Sequence, residues 1–414
     1  MGKASMSFKK LLFVLIILFL LSFIVNLIFV FYFPRMDSDS HLYDIIGWNL
    51  IQGNGYSISL EPPHSPSFMR PLAYPTILAG IYSLFGRNSF FVYFFQAVLL
   101  ACTAPILFLI TRQVFDDTVA GLAAVLHALN PFVAFYTSTV MTEITATFFL
   151  TLTILFCIHA TSESQSRPIR YLIAAAISLG LLANTRSGYE YFILFAFIIV
   201  FLSFRPLKNS IQNGIIIVVV FLAIIGPAVY RTHHHFGKWK IYDGSVGWTL
   251  YGATLEYRDS SWDELIRESD SEPDAVIIMN STDYREVHAS FERFYQRAIE
   301  NIKDDPSHYL KTVMIRFFRV WFSSYMQGLH PMALMLIKIV GILFLGLGIF
   351  GITLSLASWR DLIWIYAMLF FTSALHSLIT TQARYTIPAR GLMTIFVAFS
   401  LVKAWSFVKG GRVE

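Results

Sequence analysis

Apolar runs dominate the chain, with lengths near the roughly 20 helical residues that a bilayer core requires. Ten segments qualify within a few residues: 10–33, 89–110, 119–138, 141–160, 170–185, 189–204, 211–230, 332–357, 362–380 and 391–408. Two further stretches, 71–86 and 307–326, are amphipathic or borderline and read as helices lying at an interface. The pattern predicts an all-α polytopic membrane protein of about ten transmembrane helices. The run from Leu11 to Phe33 exceeds the apolar region of a signal peptide, and no small-residue cleavage site follows it. It reads as a retained first span.

Basic flanks set the orientation, because cytoplasmic loops are enriched in Lys and Arg. Lys3, Lys9 and Lys10 precede the first span. Alternating from there, the inner loops carry Arg112, then Arg167 and Arg170, then Arg205 and Lys208, then Arg360, and last Lys409 and Arg412. Both termini are then expected in the cytoplasm of a multi-pass cell-membrane protein. Were 71–86 to cross, every later basic loop would face outward, so this segment is expected in the outer interface. Three parts follow: an N-terminal transmembrane module (1–230) with its first outer loop at 34–88, an extracytoplasmic insertion (231–331), and C-terminal transmembrane helices (332–414).

Composition supports this reading. Of 414 residues, 56% are apolar and 14% charged, against about 25% charged in soluble proteins. The charges concentrate in the 231–331 insertion, where DSSWDELIRESDSEPD reads as exposed helix and loop of a small cap. A net charge of +5 without a basic, aromatic-laced cluster argues against nucleic acid and leaves membrane lipids as surroundings. No Walker-type loop or strand-linked G-x-G-x-x-G is present, which argues against an ATP-driven pump or a nucleotide-sugar enzyme.

Polar residues near the outer span ends form a set. Asp37, Asp39, His41 and Tyr43 follow span one, and Arg70 lies further along that loop. Glu143 opens span four, Arg186 sits between spans five and six, Arg231 ends span seven, and Arg384, Tyr385 and Arg390 lie between spans nine and ten. Charged groups at the hydrocarbon boundary are costly and usually face a cavity or a partner. Glu143, in STVMTEITATFF, has uncharged neighbours for a turn on both sides and is expected to bind an Arg, a metal or a substrate hydroxyl. Arg316 and Arg319 share one face of 307–326 and read as headgroup anchors.

Such a set suits transfer from an anionic leaving group. A carboxylate deprotonates the acceptor hydroxyl, and guanidinium groups neutralise a departing phosphate, so no general acid is needed. One carboxylate with several Args is expected here, not a glycosidase pair. The rival class, a transporter or flippase of lipid-linked saccharides, needs polar groups at mid-membrane or on both faces.

Several segments carry a resemblance. They are the acidic motif with Asp39 and Tyr43, LIQGNGY, SPSFMRPLAYPTILAGIYSLFG, RQVFDDTVAGLAAVLHALNPFVAFYTSTVMTE, LGLLANTRSGYEYF, GPAVYRTHHHFGKW, DPSHYLKTVMIRFFRVWF and RYTIP. In order and spacing the chain resembles the GT-C type integral-membrane glycosyltransferases. It is most similar to the family 39 group of protein O-mannosyltransferases and lipid A aminoarabinose transferases. The resemblance implies an inverting transfer of a sugar from a polyprenyl-phosphate donor to a lipid, glycan or protein acceptor on the extracytoplasmic face. It puts Asp39 at the catalytic carboxylate and Glu143 at the second acidic motif. Arg70, Arg186, Arg384 and Tyr385 fall about the donor phosphate, with Tyr43 and His41 as substrate contacts. Relatives carry Asp-Glu where this chain has Asp39-Ser40, which keeps Asp37 as a competing base. No cofactor is identified from the sequence, and a divalent metal held by Asp39 and Glu143 is left open.

Overall fold

The computed structural model describes residues 6–162, 167–241, 246–256, 273–281, 284–322 and 331–409. Most of the polar stretch 259–274 lies outside them, as do Lys3 and Arg412. Every predicted span is helical. They are α1 (Phe8–Tyr32), α4 (Ser89–Val114), α5 (Asp117–Ala128) continuing into the short α6 (Pro131–Ala134), α7 (Glu143–Thr161), α8 (Pro168–Thr185), α9 (Phe192–Ser203), α10 (Leu207–Phe236), α15 (Pro331–Leu354), α16 (Trp359–Ser377) and α17 (Arg390–Val408). Among the described residues, seven helices are long and apolar enough to cross a membrane, or eight if the 42° bend between Asp117–Ala128 and Pro131–Ser138 lies within one span. The shortfall from ten has a physical cause. The 189–204 run makes only a short helix, and α16 opens on Arg360 and Asp361 and carries Thr372, Ser373 and His376 inward. The result is an all-α, multi-pass membrane protein.

Local chemistry sets the helix ends. Asp116 caps α5 by accepting from the Thr118 and Val119 amides at 2.8 and 2.9 Å. Pro168 occupies the first turn of α8, where its missing N–H costs nothing. Gly237, at φ +69°, ends α10 in the left-handed region and donates to the His233 carbonyl at 2.8 Å. On α1, Leu12, Ile16, Leu20, Ile24 and Ile28 form an exposed stripe at four-residue spacing, whereas Leu18, Ser22, Asn26 and Val30 face the protein. An apolar stripe of this kind is at home against lipid tails.

The bundle core packs α7 on α8, α8 on α10, and α15 and α5 on α17. At one end, α2 (Ser38–Ile51) and α3 (Ala73–Phe85) make a hairpin. With 13 residues, α3 is about 20 Å long and too short to span. Asp44, which accepts from Tyr82 Oη at 2.6 Å and pairs with Arg87 at 2.6 Å, ties α2 to α3 and to the start of α4.

The insertion contributes α11 (Val246–Leu255), α12 (Pro273–Asn280), α13 (Tyr284–Asp304) and α14 (Pro306–Arg319). Here one expectation is corrected: Arg316 is not a headgroup anchor. Its side chain is 0% exposed, donates to the Ser377 and Ala253 carbonyls at 2.8 and 2.7 Å, and pairs with Glu256 at 3.3 Å. It therefore pins the insertion to the end of α16. Burial raises the Glu256 pKa despite the opposing pull of Arg316. Arg316→Met is expected to destabilise the protein by about 3–5 kcal/mol, because it strands a buried carboxylate and two carbonyls. Thermal unfolding in detergent measures this, and a variant melting with the parent would show that the staple is dispensable.

Candidate active site

A cavity of about 1800 Å³ opens at the end of the bundle where α8, α10 and α16 finish and α7 and α17 begin. Its lining includes Asp39, Tyr43, Arg70, Glu143, Arg186, Arg384 and Tyr385. These are residues that sequence reasoning grouped from separate loops. His41 is exposed and is not in the lining.

Asp39 sits in the first turn of α2, directly beyond α1. Its Oδ1 accepts from Arg70 Nη2 at 2.5 Å, and its Oδ2 faces Arg384 Nη1 at 2.9 Å. One carboxylate is thus shared by two guanidinium groups that are 314 residues apart in sequence. Tyr56 Oη fixes the Arg70 backbone by donating to the Arg70 and Pro71 carbonyls at 2.9 and 3.0 Å. The Tyr43 ring lies 5.2 Å beneath the Arg70 guanidinium. Arg384 enters from the 3₁₀ turn Ala383–Ala389 that leads into α17. Burial alone would raise the Asp39 pKa, but the two arginines together outweigh it and hold the carboxyl down at about 2. Both guanidinium groups keep a buried, unpartnered Nε.

Glu143 begins α7, where the helix dipole favours a negative charge. It is 0% exposed. Its Oε1 accepts from Arg186 Nη1 at 3.1 Å, and Oε2 has no partner. The expectation that Glu143 engages an Arg is met by Arg186, which also donates to Thr142 at 3.2 Å. The Tyr385 ring lies near both Arg186 and Arg384, with its centroid 5.5 and 5.8 Å from their guanidinium carbons.

Asp37 is placed differently. It pairs with Arg35 at 3.2 Å, accepts from Thr139 at 3.4 Å, and donates its amide to Ser40 Oγ at 3.1 Å. It is absent from the cavity lining. These contacts belong to a joint between the α1–α2 loop and the strand-like approach to α7. There the Arg35 amide donates to the Ser138 carbonyl at 2.9 Å, and Gln96 Nε2 donates to the Thr137 and Thr139 carbonyls at 3.1 and 2.8 Å. Arg231 and Arg390 are also spent on structure, donating to the Ser67 and Trp321 carbonyls.

Among the lining residues that sequence reasoning missed are Glu190 and His376. Each is a lone ionisable residue at the edge of an apolar run, the signal that singled out Glu143. A metal held by Asp39 and Glu143 does not fit the donor set. Three of their four oxygens already face guanidinium groups, and among the described residues no group of three His, Cys, Asp or Glu is placed to hold an ion.

Comparison with known proteins agrees with this picture. The profile of the family described as dolichyl-phosphate-mannose-protein mannosyltransferase matches residues 69–230, which include Arg70, Glu143 and Arg186. No curated protein sequence matches the chain. Among solved structures, the oligosaccharyltransferase AglB from Archaeoglobus fulgidus, in complex with an inhibitory peptide and a dolichol-phosphate, overlays at TM-score 0.59 and 15% identity. That match covers 99% of this chain and 53% of AglB. The same enzyme tethered to an acceptor peptide containing the NVT sequon gives 0.58 at 13% identity, covering 96% and 50%. ArnT from Cupriavidus metallidurans bound to undecaprenyl phosphate covers 92% and 77% at 9% identity, but its TM-score of 0.42 is too low to argue from. The chain thus spans about half the length of AglB. This chain shares its fold with the part of AglB that it covers.

The Asp39 clamp has a pH signature. With the folded pKa at about 2 against an ordinary 3.8, its stabilisation is fully present above about pH 4 and is lost as pH falls through 2. The shift corresponds to about 2 kcal/mol. The stability gap between the parent and Asp39→Asn is expected to narrow from pH 4 toward 2 in detergent melts. A gap constant across that window would deny Asp39 the charge in the clamp.

Proposed function

We propose that the protein transfers a sugar from a polyprenyl-phosphate donor to a hydroxyl of a lipid, glycan or protein acceptor, with inversion, outside the cytoplasm. The observation that carries this reading is the double-arginine clamp on Asp39 inside a large cavity at one end of the bundle. At rest Asp39 is ionised and satisfied. Arg70 and Arg384 each retain a buried Nε–H without a partner, and a phosphodiester oxygen fits such a donor. As the donor phosphate takes its share of the two guanidinium charges, Asp39 loses part of its stabilisation and its proton affinity rises. The acceptor oxygen then attacks the anomeric carbon while its proton passes to Asp39. The bond from that carbon to the phosphate oxygen breaks, and its electron pair leaves with the phosphate, which the arginines neutralise. Asp39 is assigned as the base in preference to Asp37, which is engaged in the Arg35–Thr139 joint. Glu143 holds Arg186 in place, and Tyr385 packs against both Arg186 and Arg384. Tyr43 lines the floor beneath Arg70.

Sidedness has its own support. Lys9, Lys10, Arg112, Arg170, Lys208 and Arg360 all fall at helix ends opposite the cavity. That arrangement supports a reading with the described termini on the cytoplasmic side and the cavity outside. The crowding of paired carboxylates at one end favours an enzyme over a transporter, which needs access from both faces.

Asp39→Asn is expected to lower transfer from a radiolabelled polyprenyl-phosphate sugar by about 10²–10⁴-fold while donor binding persists. Arg70→Ala and Arg384→Ala are expected to raise the donor KM by about 10–100-fold. Mass spectrometry of cell-surface glycans with and without the gene supplies the acceptor. An Asp39→Asn protein that transfers at the parent rate would remove the base assignment. A parent protein that only moves lipid-linked sugar between leaflets would remove the enzyme. For sidedness, a cysteine at His41 is expected to react with a membrane-impermeant maleimide in intact cells and one at Arg360 to stay unlabelled. The reverse labelling would invert the topology.

A further inference from the structure

Glu190 and His376 are ionisable side chains of the cavity wall that the transfer chemistry leaves unused. Glu190 lies in the 3₁₀ turn Tyr189–Tyr191 that leads into α9. The backbone N–H groups of Gly188 and of Glu190 itself reach its carboxylate, but Oε2 is sealed from solvent without a partner. The other carboxylates of the lining are accounted for. Asp39 and Glu143 are paired with arginines, and Glu292 is exposed and accepts from Gln296. His376, near the end of α16, is 4% exposed, and neither ring nitrogen has a partner. Its ring stacks on Tyr385, with centroids 4.7 Å apart.

The fold brings these two residues to one wall. Gly188 takes φ +91° and lies so close to α16 that a Cβ there would meet Leu375 Cδ2 at 2.5 Å. The Tyr189 ring sits 6.1 Å from that of Phe371. The turn bearing Glu190 is therefore seated on the stretch of α16 that ends in His376. Leaving buried polar atoms unmatched costs free energy that a ligand can return. A carboxylate only accepts hydrogen bonds, whereas a neutral imidazole offers one donor and one acceptor. A hydroxyl group both donates and accepts, so a polyol satisfies both residues. An ammonium group could donate to both residues but would leave the imidazole N–H without an acceptor, which a hydroxyl supplies.

We propose that Glu190 and His376 form a recognition site for the hydroxyl groups of a sugar ring, apart from the phosphate-binding arginines. This deepens the glycosyl-transfer reading and rests on it. The ring belongs to the donor or to the acceptor, and the test distinguishes them. A site built to bind a substrate hydroxyl discriminates strongly against a ligand that lacks it. Glu190 and His376 then select the sugar, and Arg70 and Arg384 hold the lipid phosphate whatever it carries.

The experiment uses the full-length protein in nanodiscs with Glu190→Ala, Glu190→Gln and His376→Phe, the last keeping the stack on Tyr385. Ligands are bare decaprenyl phosphate, its mannosyl, glucosyl and arabinosyl esters, and methyl glycosides added over bound decaprenyl phosphate. For the best-bound sugar ester, Glu190→Ala and His376→Phe are each expected to weaken affinity about tenfold, one charged or neutral hydrogen-bond's worth. Glu190→Gln is expected to lose less, and bare decaprenyl phosphate is expected to bind all four proteins alike. The same selective loss confined to the methyl glycosides supports an acceptor ring at this wall. Variants that bind every ligand like the parent, or that lose bare decaprenyl phosphate equally, overturn the recognition site and leave the transfer reading intact. A parent protein that binds no polyprenyl phosphate overturns both.

Discussion

A single carboxylate shared by two guanidinium groups closes the cavity end of the bundle. Through Arg70 and Arg384, Asp39 joins the first helical hairpin to the turn before the last helix, so the two ends of the sequence meet at one ion cluster. Inside a bilayer every polar group must find an internal partner. At the membrane border that demand is weaker, and charge gathers there. The cluster is therefore a structural tie and a chemical resource together. The same contacts that hold the hairpin in place keep a carboxylate ionised and two guanidinium groups pointed into the cavity.

The tie works because its base is rigid. The Arg35–Thr139 bridge, the Gln96 amide between two carbonyls, and Tyr74 donating to Gln96 Oε1 at 2.9 Å lock the loop that follows α1 to the loop that precedes α7. Asp39 and Glu143 project from the two sides of this joint. Their spacing is thus set by backbone contacts, not by the long side chains that meet them. Arg316 performs the corresponding task on the far wall, where it fastens the insertion helices to α16.

Much of this was legible in the sequence, for definite reasons. Span length follows from bilayer thickness, and alternating basic loops sort the span ends into two sets, so the membrane architecture and the gathering of Asp39, Glu143 and the arginines at one end could be read without coordinates. Pairing could not. Asp37 and Asp39 are two residues apart and chemically identical in sequence, yet α2 starts between them, and only the second turns into the cavity. Arg316 shows the converse. Three-residue spacing with Arg319 put it on a helix face, but nothing in the pattern says whether that face meets lipid headgroups or the protein interior. Glu190 and His376 carried the same signal as Glu143, a solitary ionisable group beside an apolar run. Glu190 stood inside the LGLLANTRSGYEYF segment, where Arg186 drew the attention, and no motif marked His376.

As the proposed base, Asp39 starts from a pKa near 2, which is low for that task. Low proton affinity is the price of holding Asp39 between two cations, and it also keeps the carboxylate unprotonated before substrate arrives. Brønsted behaviour favours a base whose pKa lies nearer the working pH. The two demands are reconciled if the ligand itself relaxes the clamp. A phosphate that draws on Arg70 and Arg384 withdraws stabilisation from Asp39 in proportion to how fully it occupies them. Proton affinity then rises only when a donor is seated, which couples activation of the acceptor to the presence of the leaving group. An arginine held by a carboxylate is in this sense better prepared than a free one. Its geometry is already fixed, its Nε is already bare, and the exchange of one anion for another costs little of the desolvation that a buried guanidinium would otherwise incur.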